Sequence, residues 1–118
     1  MLEMWITKKM LTLMLFYLVS GLVLSGLSIP MIAGKIGPNG LYGFRVRATM
    51  ENPKLWYAVN HYAGIRLLVM GVIIIMSAVG LYFLPGLSVD SYALACLGVF
   101  SVVLIFGLVQ SLIYLKSL

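Results

Sequence analysis

The chain has 118 residues, of which 63% are hydrophobic and only 9% charged, with a net charge of +5 from eight Lys and Arg against three Asp and Glu. That length holds one domain, and so few charges exclude a water-soluble globule, in which about a quarter of residues are charged. The single cysteine, Cys96, excludes an intrachain disulfide and reads as a small apolar packing residue.

Three windows carry no charge: Met10 to Gly34, Leu67 to Val89, and Ser91 to Leu115. Each exceeds the roughly 20 residues that cross a bilayer core of about 30 Å. In hydrocarbon the backbone must satisfy itself, so each window is a helix. The expectation is an all-α integral membrane protein, one membrane domain over residues 1–118. Its transmembrane helices fall at about 10–33, 66–85 and 90–115. A central loop of about 34–65 carries a short amphipathic interfacial helix.

Lys8 and Lys9 ahead of the first apolar run look like the start of a signal peptide. The run outlasts an h-region of 7–15 residues and no A-x-A site follows, so it is expected to remain as a span. Within it Gly21 and Ser25 stand four apart, a small-xxx-small spacing that admits a neighbouring helix closely.

In the loop, Gly37-Pro38-Asn39-Gly40 is turn chemistry. Arg45 and Arg47, two apart, point to one side if the backbone is extended. Asn52-Pro53 reads as a helix start, with Asn as N-cap and Pro at the first position. At 100° per residue, Lys54, Tyr57, Asn60 and His61 share one arc. Leu55, Trp56, Ala58, Val59, Tyr62 and Ala63 share the other. The expectation is a helix lying on the membrane surface. Arg66 would fall on the apolar arc, so a bend at Gly64 is predicted, leaving Arg66 at the membrane boundary to reach a phosphate or a loop partner.

The second span places Gly64, Gly71 and Ala78 seven apart, a stripe for close helix packing. Pro85-Gly86 ends it, and Ser88 or Asp90 can cap the third span. There Gly107 and Ser111 repeat the small-xxx-small spacing, and Gln110 is the strongly polar side chain, expected to bond across helices.

Cations in short loops stay in the cytoplasm. Lys35, Arg45, Arg47, Lys54 and Arg66 lie in the central loop and Lys116 shares their side, against Lys8 and Lys9 opposite. The N-terminus is therefore predicted outside, with the loop and C-terminus inside. Trp5, Trp56, Tyr57 and Tyr62 suit the interfacial belt.

Catalytic chemistry is missing. His61 is the lone histidine, and Glu3, Glu51 and Asp90 are the only acids, too few and too scattered for a metal site or a Ser-His-Asp group. No phosphate loop or dinucleotide fingerprint occurs. No enzyme activity and no cofactor are expected. The basic loop beside a bilayer suits anionic headgroups rather than nucleic acid.

One stretch carries a more specific pattern: Ile36-Gly37-Pro38-Asn39, Tyr42-Gly43-Phe44-Arg45, Thr49, Asn52-Pro53, Trp56, then Asn60 and Gly64. About thirty residues with this spacing resemble the SdpI family of bacterial membrane proteins, here as a short three-helix member. The chain departs from the pattern at Val46-Arg47-Ala48. The resemblance implies a bacterial inner-membrane protein with a working cytoplasmic loop. It also implies an immunity role against a secreted membrane-active toxin, with signalling by recruitment of a repressor.

Two functions stay open. The first is immunity or signal anchoring through Asn39, Tyr42, Arg45, Arg47, Trp56, Asn60 and Arg66. The second is an accessory subunit docked through Gly21, Ser25, Gly71, Ala78, Gly107, Gln110 and Ser111, against another membrane protein or a second copy. Arg45 is expected to pin the loop by donating to backbone carbonyls or to Glu51.

Overall fold

The structure, a computed structural model, describes residues 2–118. Four helices follow in order: α1 (Leu2–Ile32), α2 (Arg47–Glu51), α3 (Pro53–Tyr82) and α4 (Val89–Ser117). The three long ones hold 31, 30 and 29 residues, about 43–46 Å at 1.5 Å per residue. All three are long and apolar enough to span a membrane, and each outruns a hydrocarbon core of about 30 Å. The bundle measures 58 × 23 × 19 Å, so its ends stand clear of the acyl chains.

α3 is the central helix, with α1 and α4 packed along it. Lipid tails are as apolar as leucine, so association there depends on close packing rather than on the hydrophobic effect. The small residues deliver that packing. A Cβ at Gly71 would lie 2.7 Å from the Gly21 carbonyl oxygen and would also strike the Ser25 hydroxyl. A Cβ at Gly21 would reach 2.8 Å from the Gly71 carbonyl oxygen and 2.6 Å from Ile75. Higher up, a Cβ at Gly64 would press on Met31 and Ile32 at 3.0–3.1 Å. Gly64, Gly71 and Ala78 thus face the antiparallel α1. On the α4 side, a Cβ at Gly107 would lie 3.1 Å from the Met70 sulfur.

Two serine hydroxyls inside the bundle turn back on their own helices. Ser25 and Ser111 donate to the carbonyls four residues earlier, Gly21 and Gly107, at 2.8 and 2.9 Å. Neither of these two hydroxyl protons is then left bare in hydrocarbon. At the end remote from the loop, Met10, Tyr17, Ile74, Ala78, Tyr92 and Cys96 form one buried cluster. The Tyr92 hydroxyl, fully buried, donates to the Ala78 carbonyl at 2.7 Å.

The helix starts follow local chemistry. The Asn52 side chain accepts from Lys54 and Leu55 N–H at 3.0 and 3.4 Å, with Pro53 in the first turn. Ser88 accepts from Ser91 N–H at 3.1 Å. Asp90 near the start of α4 and Lys116 near its end both suit the helix dipole.

Two expectations are corrected. Residues 53–63 are not a separate surface helix, because α3 runs unbroken from Pro53 to Tyr82 and does not end at Gly64. Gly64 is a close-approach point for α1, and a glycine inside a helix costs only about 1 kcal/mol. The short loop helix lies earlier, at Arg47–Glu51. The first helix also begins at Leu2 rather than near Met10.

Candidate functional site

Residues 33–52 fold onto the first three turns of α3. The anchor is Asn60, only 2% exposed. Its side-chain oxygen accepts the Phe44 N–H at 2.6 Å, and its amide nitrogen donates to the Trp56 carbonyl at 2.9 Å. One turn earlier, Trp56 is completely buried, and its indole N–H donates to the Ile36 carbonyl at 2.8 Å. Two side chains one turn apart on α3 therefore grip both halves of the loop.

Gly43 makes the grip possible. It sits at φ +117°, where a side chain is strained. A Cβ there would also lie 2.8 Å from the Asn60 oxygen and 2.9 Å from the Trp56 ring. The next residue, Phe44, is buried with Met31, Val59 and Ala63. Beneath α2, the buried Thr49 hydroxyl accepts from Val46 N–H at 3.0 Å and lies 2.9 Å from the Phe44 carbonyl. Asn39 closes the preceding turn, accepting from Leu41 and Tyr42 N–H at 2.8 and 3.0 Å and donating to the Gly37 carbonyl. His61 donates from Nδ1 to the Ile32 carbonyl at 2.7 Å, tying the end of α1 to α3.

The loop residues singled out from the sequence divide into two groups. Trp56 and Asn60 are interior pins, although helical periodicity assigned Asn60 to water and Trp56 to lipid. Asn39 and Tyr42 are half-buried within the cap. Arg45 and Arg47 are exposed on its outside. Arg45 makes no side-chain hydrogen bond or ion pair among the described residues, and Glu51 is bonded by Arg47 instead, at 3.0 Å. The expected Arg45 clamp is therefore corrected: the loop is held by Trp56, Asn60 and Thr49. Thr49 carried a signal in the sequence, since its hydroxyl three residues past Val46 suits reach-back capping of a helix start.

Arg66 is half-buried on the α4 side of α3. Its guanidinium stands 4.9 Å from the Tyr62 ring centroid, Tyr62 stacks on Tyr114 at 4.3 Å, and the buried Nε has no hydrogen-bond partner. Beside it a cavity of about 230 Å³ runs between α1, α3 and α4, roofed by Tyr42, Gly43 and Phe44. Gln110 is half-buried and makes no hydrogen bond among the described residues. It lines a second, 160 Å³ cleft that also touches Arg66.

The sequence profile of the SdpI/YfhL protein family matches residues 35–114, which is the loop, α2, α3 and nearly all of α4. The chain belongs to the SdpI/YfhL family. No curated protein and no solved structure matches it. The family segment opens at Lys35, at the first residues of the cap, and contains every contact by which the SdpI-family loop is pinned to α3. α1 lies outside that segment, yet it supplies the Gly21–Ser25 face against which α3 packs.

Proposed function

We propose that this SdpI-family membrane protein is a non-enzymatic immunity or signal-anchoring protein of a bacterial inner membrane. Its N-terminus is outside, and its cap and C-terminus are cytoplasmic. The observation that carries this reading is the division of labour within the cap. Trp56, Asn60, Thr49 and Phe44 are spent on holding the loop in one shape, while Arg45 and Arg47 project outward from it. A connection that merely joined two spans would have no need of buried polar pins. A rigid surface offering two arginines suits recognition of an acidic or carbonyl-rich protein surface, and six cations on the loop side against two opposite support a cytoplasmic location for it.

The test is a toxin challenge. Cells expressing the gene should survive a secreted membrane-active toxin that kills cells lacking it. Arg45→Ala combined with Arg47→Ala should lower survival without lowering the amount of protein in the membrane. Equal killing with and without the gene would refute the immunity role.

A second reading, an accessory subunit of a larger membrane assembly, is favoured by Gly26, Gly80 and Gly98. Nothing lies within 4 Å of a Cβ placed on any of them, so three close-approach positions face away from the bundle. Mild extraction and native sizing distinguish the two, because a stoichiometric co-purifying membrane protein supports the subunit reading.

A further inference from the structure

We propose that the cavity beneath the cap is a binding site for one anionic membrane lipid, with the headgroup phosphate on Arg66 and an acyl chain lying between α1 and α4. The site is separate from the outer face of the cap, so it neither depends on the immunity reading nor falls with it.

Charge comes first. A buried guanidinium N–H demands an anion or a carbonyl partner; Arg66 is half-buried, and its buried Nε has neither. None of the three acidic side chains is placed to supply the charge. Glu51 is taken by Arg47 at the surface, while Glu3 and Asp90 sit at the start of α1 and of α4, the end of the bundle remote from the cap. The Tyr62 ring holds the guanidinium plane but leaves its N–H groups to be used.

Depth comes second. Arg66 stands sixteen residues before Tyr82, the last residue of α3, about 24 Å along the helix. With the Tyr82–Leu84 end at one edge of a hydrocarbon core of about 30 Å, Arg66 lies just within the other edge. A long cationic side chain at that depth reaches the phosphate layer.

Shape comes third. The cavity holds about 230 Å³ and its walls are almost wholly apolar, with Met31, Leu67 and Met70 lining its interior. Drug-sized ligands occupy roughly 300–1,000 Å³, so this volume suits a narrow chain rather than a bulky ring system. Its rim is Leu27 of α1 with Leu104 and Leu108 of α4, all exposed. The mouth therefore opens sideways into the bilayer, the route by which a lipid tail enters, and the cap closes the top. Phosphatidylglycerol-type lipids fit these three constraints together; a zwitterionic headgroup brings its own cation beside Arg66.

The experiment uses the purified full chain in mild detergent, delipidated, with thermal melting as the readout. Short-chain phosphatidylglycerol should raise Tm by several degrees, phosphatidylcholine of the same chain length should raise it much less, and inorganic phosphate alone should leave it unchanged. Arg66→Gln should abolish the phosphatidylglycerol shift, Arg66→Lys should keep part of it, and Leu108→Trp, which plugs the exposed rim without entering the core, should weaken it. Native mass spectrometry of the extracted wild type should show one retained anionic lipid, reduced in Arg66→Gln. Equal shifts from both lipids, a full shift in Arg66→Gln, or stabilisation by phosphate alone would overturn the proposal. So would a peptide, in place of lipid, retained in the wild type.

Discussion

The two ends of the bundle are held by opposite means. At the end away from the loop, Met10, Tyr17, Ile74, Ala78, Tyr92 and Cys96 pack as one apolar cluster, tied across helices by the Tyr92–Ala78 hydrogen bond. At the loop end, side chains from α3 reach across 16 and 20 residues of sequence to backbone groups of the loop. The first solution suits hydrocarbon, where shape complementarity is the available force. The second suits the headgroup layer, where a loop brings its own N–H and C=O groups and each buried one needs a partner. Asn60 is polar because of what it must satisfy, not because it faces water.

Four substitutions test the two ends separately. The largest effect belongs to the region between the ends. Gly71→Leu would drive a side chain into the Gly21 backbone, which cannot yield as a flexible side chain would. Overpacking of this kind costs about 1–3 kcal/mol or more. Folded yield in detergent should collapse, and both ends should loosen together. Next, Gly43→Ala meets both a positive φ and the Asn60 oxygen, an expected cost of about 1–3 kcal/mol. Limited proteolysis of residues 35–46 should accelerate severalfold, while the thiol at buried Cys96 stays as slow to label as in the wild type. Tyr92→Phe does the reverse. It removes one buried hydrogen bond, worth about 0.5–1.5 kcal/mol, so Cys96 labelling should quicken with no change in loop cleavage. Smallest of all is Glu51→Gln. Its partner Arg47 is 91% exposed, and such a pair contributes up to about 0.5 kcal/mol, so neither reporter should move measurably.

Much of this architecture was legible in the chain. Uncharged runs longer than a bilayer announce three helices, and Asn52-Pro53 marks the start of α3. The seven-residue spacing of Gly64, Gly71 and Ala78 names the face that α1 covers. What periodicity could not reveal is what lies over the first three turns of α3. It divides a helix into wet and dry arcs as though one side met water and the other lipid. Here the dry side meets α1 and the loop, so Trp56 and Asn60, assigned to opposite arcs, are buried together. The same gap explains Arg45. A cation beside Gly43 looks like a clamp in one dimension, but the positive φ at Gly43 sends Phe44 inward and leaves Arg45 outside. Arg47 reaches Glu51 because a helix, not an extended strand, connects them at a spacing of four.

Asn60 fixes the loop to α3 through the Phe44 N–H, and amide hydrogen exchange at Phe44 in lipid nanodiscs reads that bond directly. The wild-type Phe44 N–H should be protected to a degree comparable with amides in the middle of α3, and Asn60→Ala should return it to the exchange rate of a free loop. Rapid exchange at Phe44 in the wild type, or protection that survives Asn60→Ala, would contradict it.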